Sequence, residues 1–119
     1  MGHSYVSLTI YDKTLSRSRK VSLLVDTGST YSWIRKDVLE GLGLAAEGKW
    51  RFKTIEGREI EREIGEAVVE YEGLRATTIV VFALEEDAQA LGVYTLEGLR
   101  LEVDPISERL KRAEVVLAI

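Results

Sequence analysis

Hydrophobic and polar positions alternate in short runs along this chain, and glycines or polar clusters separate the runs. Tyr5-Val6-Ser7-Leu8-Thr9-Ile10-Tyr11 mixes β-branched and aromatic residues with partial alternation, which predicts a strand. Asp12 to Arg19 is polar and basic, a surface loop leading into a second strand, Lys20 to Val25. That strand ends in the continuous apolar run Leu23-Leu24-Val25, the pattern of burial on both faces. Asp26 to Thr30 reads as a turn and Tyr31 to Ile34 as a third short strand, with Trp33 expected in the core. Asp37 is expected to cap a short helix, Val38 to Leu42, closed by Gly41 or Gly43.

The middle of the chain predicts two hairpins. Trp50 to Glu56 and Arg58 to Glu63 flank the Glu56-Gly57 turn, and charges dominate both arms, so this hairpin should project into solvent. Ile64 to Glu72 and Arg75 to Leu84 flank Glu72-Gly73. Here Ala67, Val69 and Tyr71 alternate with Glu66, Val68 and Glu70, as in a half-buried strand. Glu85 to Ala90 is a polar connection with room for one helical turn, and Thr95 to Leu101 predicts a short helix with Leu96 and Leu99 inward. Asp104-Pro105 opens a turn, and Ala113 to Ile119 reads as a final strand. Many short strands with two short helices predict a mainly β domain, a small barrel or sandwich.

A chain of 119 residues fits one such domain, spanning 1–119, with Met1 to Ser4 expected outside its packed part. The net charge of −4 argues against nucleic acid or an anionic membrane as the main partner, and the longest apolar run, Ile79 to Leu84, is too short to span a bilayer. No cysteine is present, which removes thiol nucleophiles, disulfides and thiolate metal sites and fits a reducing compartment such as the cytoplasm. The N-terminus shows neither a signal-peptide pattern nor, with Val6 at position six, a myristoylation pattern. His3 is the only histidine. Catalysis would therefore fall to carboxylates, hydroxyls, Lys, Arg or Tyr.

Val25-Asp26-Thr27-Gly28-Ser29 is where such chemistry concentrates. An apolar strand delivers a carboxylate into a turn, with a hydroxyl on either side of a glycine that permits close backbone approach. An Asp-x-Gly turn alone is also an ordinary way to reverse a chain. An identical four-residue string arises by chance in roughly one such chain in a thousand.

With its context, the segment resembles the retropepsin-like aspartic peptidases, the half-size relatives of pepsin. The parts appear in family order: Leu23-Leu24-Val25-Asp26-Thr27-Gly28-Ser29, the strand Tyr31 to Ile34, a flap hairpin tipped near Glu56-Gly57, and Ala90-Leu91-Gly92 before a helix. Retroviral members often pair an Asp after the motif with an Arg after the second glycine; Thr30 and Val93 stand there in this chain. With the longer Lys36 to Lys49 segment, this places the likeness among cellular, microbial-type single-domain members. The resemblance implies a small closed β barrel with a flap and one or two short helices. It implies Asp26 as the catalytic residue, with Thr27, Gly28 and Ser29 supporting its turn, and Ile55, Glu56, Gly57 and Ala90 at the substrate. It implies no metal and no cofactor.

Aspartic peptidase chemistry needs two carboxylates a hydrogen-bond length apart, one ionised and one protonated. The chain holds one Asp-Thr-Gly, so the resemblance implies a homodimer pairing Asp26 with its symmetry mate, acting on protein or peptide substrates. Thr27 is expected to reach across to the partner's backbone, and Ser29 to donate to the outer oxygen of Asp26. The terminal strands Tyr5 to Ile10 and Val115 to Ile119 are candidates to pair between subunits. Two other readings use the same residues: a peptide-binding dimer without turnover, and a structural domain in which Asp26 only caps a turn.

Overall fold

In the computed structural model, which describes residues 4–115 and 118, the chain is mainly β, as its alternation predicts. β1 (Tyr5–Tyr11) and β2 (Ser18–Val25) form an antiparallel hairpin, followed by β3 (Ser32–Arg35) and α1 (Lys36–Gly41). β4 (Gly48–Lys53), β5 (Glu59–Tyr71) and β6 (Leu74–Ala83) form a meander. β7 (Ala90–Leu91), α2 (Val93–Gly98), β8 (Leu101–Val103) and β9 (Leu110–Arg112) complete the order.

Seven strands form one sheet in the order β1-β2-β7-β3-β6-β5-β4, and β1 also pairs with β5 through Ile10 and Val69. That second pairing closes the sheet into a ring and leaves β4 outside it. Leu8 and Ile10 of β1, Leu23 of β2, Ile34 of β3, Val69 of β5, Val80 of β6 and Leu91 of β7 fill the inside, all essentially without solvent contact. Burying each such side chain contributes about 2 kcal/mol, so the ring is held chiefly by its lining. Leu39 of α1 and Leu96 and Leu99, in and after α2, close over it.

Several boundaries differ from the sequence-based expectation. Leu24 and Val25 are only half-buried, because β2 lies in the ring wall with a single buried face. Asp37 does not cap α1: it is the second helical residue, and its carboxylate pairs with Arg35 at 3.0 Å. Gly43 does close the helix, in a left-handed conformation. The arms Arg58 to Glu63 and Ile64 to Glu72 are one continuous strand, β5. The 84–87 segment is a turn closed by Asp87 N–H on the Leu84 carbonyl, with no helical turn following. The second helix starts at Val93, and Leu101 belongs to β8. Ala113 to Val115 are not a strand; residues 116, 117 and 119 lie outside the described residues. Ser4 is tied to the domain, its carbonyl accepting from Val25 N–H at 2.8 Å.

Candidate active site

The ring places Asp26 at the end of β2, where the apolar strand gives way to an exposed turn. Asp26 N–H donates to the Leu91 carbonyl at 3.0 Å, extending the parallel β2–β7 pairing by one bond and fixing where the carboxylate starts. Gly28 N–H donates to Asp26 Oδ1 at 2.9 Å, and Ser29 N–H to the Asp26 carbonyl at 3.1 Å. A Cβ on Gly28 would lie 3.2 Å from Oδ1, tighter than an ordinary contact, so glycine lets the backbone reach the carboxylate.

Ser29 differs from expectation. Its hydroxyl donates to the Tyr31 carbonyl at 2.8 Å, not to Asp26, because the chain bends back after Gly28 and presents that carbonyl at hydrogen-bond distance. Ser29 therefore supports the turn from its far side. The Thr27 hydroxyl is exposed and finds no hydrogen-bond partner among the described residues.

The turn is held from below by the segment entering α2. Val93 N–H donates to the Ser29 carbonyl at 2.9 Å and Tyr94 N–H to the Thr30 carbonyl at 2.8 Å. These two backbone bonds join the places where an Asp–Arg ion pair is absent. Beneath them lie three buried hydroxyls. Ser32 Oγ accepts from Gly92 N–H at 3.0 Å and meets Thr95 Oγ1 at 2.5 Å, and Thr95 Oγ1 meets Thr78 Oγ1 at 2.9 Å. Every polar atom is paired, so the network rigidifies the base of the turn without leaving a desolvated group.

The hairpin of β4 and β5 is two-faced. Lys49 stands opposite Glu63, Arg51 opposite Glu61 and Lys53 opposite Glu59, an outer ladder of opposite charges. The other face carries Trp50, Phe52 and Ile60, with Arg62 opposite Trp50 at its base. Trp50 lies 5.3 Å from the Tyr31 ring and Phe52 5.2 Å from the Trp33 ring, so this face packs on the strand leaving the Asp26 turn. Tyr94 extends the row, 5.6 Å from Tyr31. Trp33, expected in the core, is thus half-buried under the hairpin. Pairs at this spacing add roughly 1 kcal/mol each beyond burial. Sequence reading missed the row, although its signal was present: aromatics two residues apart in both strands, Tyr31 with Trp33 and Trp50 with Phe52.

The structure joins Asp26, Thr27, Gly28 and Ser29 in one turn and sets Ala90 beside it in β7, where it is almost fully buried between Leu24 and Trp33. Ile55, Glu56 and Gly57 stand apart at the hairpin tip, with Ile55 fully exposed. No hydrogen bond joins tip and turn among the described residues. Two cavities of about 250 and 240 Å³ flank α1 and the hairpin base, and neither includes Asp26, whose carboxylate faces open solvent.

A protein-family model, aspartyl protease, matches residues 6–96, from β1 into α2 and across the Asp26 turn, the hairpin and Gly92. No match is found among curated proteins. With most of its length matched and a mainly β ring carrying the Asp-Thr-Gly turn, the chain belongs to the aspartyl protease family as a retropepsin-like member.

Proposed function

We propose that the chain is an aspartic endopeptidase acting as a homodimer on extended, largely hydrophobic peptide segments. The observation that carries this reading is the setting of Asp26: a solvent-facing carboxylate, oriented by Gly28 N–H, at the end of a strand anchored through Leu91. One such group is half of a peptidase. A two-fold axis beside the turn brings Asp26 of the partner subunit within hydrogen-bond reach, and the exposed Thr27 hydroxyl then has a partner backbone to bind.

In this dimer two carboxylates so close hold one proton between them. The ionised carboxylate takes a proton from a bound water while the water oxygen attacks the peptide carbonyl carbon. The protonated carboxyl gives its proton to the carbonyl oxygen, forming a neutral tetrahedral diol. Proton transfer to the nitrogen then breaks the C–N bond, and the two products leave as acid and amine. No cofactor or metal enters these steps. The hairpin from Trp50 to Glu63 folds over the peptide, with Ile55, Glu56 and Gly57 at its tip, and excludes water. Its apolar inner face, together with Tyr31 and Tyr94, supports a preference for bulky apolar side chains.

The test is cleavage of a peptide library between pH 3 and 7, with and without a statine-type inhibitor, alongside the mass in solution. Asp26→Asn is expected to lower kcat on the order of a thousandfold while leaving the dimer intact. Undiminished cleavage by that variant, or a monomer even with substrate bound, overturns the reading.

A further inference from the structure

The charges of the β4–β5 hairpin are mostly exposed, and its ion pairs are loose: Arg51 and Glu59 are 3.9 Å apart with their side chains in solvent. Arg62 is different. Its Nε and Nη2 donate to the two carboxylate oxygens of Asp87 at 2.7 and 2.9 Å, a planar two-point contact, and both side chains are only 10% exposed. Asp87 is itself fixed by its own loop. Its Oδ2 accepts from Leu84 N–H at 2.8 Å, and its N–H returns to the Leu84 carbonyl at 3.0 Å. Arg62 Nη1 also donates to the Glu61 carbonyl at 2.9 Å, so the guanidinium is held at both ends.

We propose that Arg62 and Asp87 are a positioning pair, which fixes the base of the Trp50 to Glu63 hairpin to the loop feeding β7 and so sets how the flap lies over a bound peptide. This rests on reading that hairpin as the substrate lid. Three features lead to it. The pair stands where the hairpin leaves the body: next to it Glu63 meets Lys36 of α1 at 2.9 Å, whereas Ile55 at the far end is fully exposed. The hairpin is therefore clamped at 62–63, rests on Tyr31 and Trp33 through Trp50 and Phe52, and is exposed at its tip. The loop on the other side of the contact runs within three residues into Ala90–Leu91, and Leu91 holds Asp26 N–H. A short chain of bonded groups thus leads from the lid to the catalytic turn. Lastly, a largely buried ion pair is a poor source of net stability compared with an apolar pair of equal volume. Its bidentate geometry supplies direction instead.

The experiment uses the full chain and compares Arg62→Met, Arg62→Lys and the exchanged pair Arg62→Asp with Asp87→Arg. Amide hydrogen exchange is read over residues 48–61 and over β1 and β2, together with KM and kcat on a cleaved peptide. Arg62→Met is expected to speed exchange in the hairpin about tenfold more than in β1 and β2, and to raise KM about fivefold with kcat within about twofold. Arg62→Lys, which keeps the charge and loses the two-point contact, should fall between, and the exchanged pair should return KM and exchange toward the original values. Hairpin exchange that stays unchanged overturns the proposal. So does exchange that rises equally in every strand, because the contact is then merely structural. If the unaltered chain cleaves no peptide, the proposed activity falls, and the exchange pattern still decides the pair.

Discussion

Gly92 meets Tyr31 backbone to backbone: a Cβ at Gly92 would lie 2.5 Å from the Tyr31 carbonyl oxygen and 2.8 Å from that of Ser29. No side chain fits there without moving the main chain that follows Asp26. The closeness lets Val93 and Tyr94 hold the Ser29 and Thr30 carbonyls by backbone bonds alone.

Gly92→Ala should therefore cost roughly 3 kcal/mol of stability, since the atoms its methyl would meet are backbone atoms that cannot swing aside. Denaturant unfolding measures the loss. In the fraction that stays folded, peptide cleavage should fall more than about tenfold, because the displaced segment carries the Asp26 turn.

Thr95→Val removes the middle hydroxyl of the Ser32–Thr95–Thr78 chain while keeping its shape. Ser32 and Thr78 are then left buried with a bond missing each, at a cost of about 2 kcal/mol. Replacing Thr78 by Val as well should return part of that loss, since one orphaned hydroxyl disappears. A double-mutant cycle on thermal or denaturant unfolding checks this, and additive costs would mean the hydroxyls are not coupled.

Ser29→Ala tests the corrected placement of that hydroxyl. With the bond going to the Tyr31 carbonyl, its loss should cost about 1 kcal/mol and leave the pH–rate profile of cleavage in place. A profile that shifts would instead connect Ser29 to the carboxylate.

How far the chain could be read in advance follows from the range of the forces involved. Alternation in Tyr5–Tyr11 and Ala67–Tyr71 gave those strands, because burial of one face acts residue by residue. The Asp26 turn was legible because a carboxylate, two hydroxyls and a glycine sit together in sequence. β8 and β9 were not, because three-residue strands carrying Glu102, Lys111 and Arg112 show no period and form only by pairing with each other. α2 starts earlier than its apolar spacing suggests because Val93 and Tyr94 find acceptors on the Asp26 turn, a tertiary effect. The Ser29 bond depends on a bend that composition does not encode. The Arg62–Asp87 contact joins residues far apart in sequence and dissolves into the surrounding charges until the fold brings them together.

The aromatic row predicts where substrate preference resides. Trp50 is 38% exposed and rests on Tyr31, so its free face is available to an apolar side chain beside the strand that leaves the Asp26 turn. Trp50→Ala should raise KM about tenfold for peptides with bulky apolar residues, equivalent to ~1.4 kcal/mol, and much less for peptides with small ones. Equal losses for both peptide sets would place Trp50 in hairpin packing alone.

Asp87 gives a pH dependence whose sign is fixed. Its hydrogen bonds from Arg62, opposed by partial burial, hold its carboxyl below the ordinary carboxylate range. A carboxyl more acidic in the folded chain than in the unfolded one stabilises the fold above its unfolded pKa, and that contribution disappears as pH falls through the folded value. Asp87→Asn should accordingly cost about 2 kcal/mol near pH 7, between the values for fully buried and fully exposed pairs. The difference between the two proteins should hold down to about pH 4 and shrink below it. Denaturant unfolding at pH 7, 5 and 3 measures it. A cost independent of pH across that range would mean that Asp87 does not titrate with folding and that the carboxylate charge contributes nothing to the contact with Arg62.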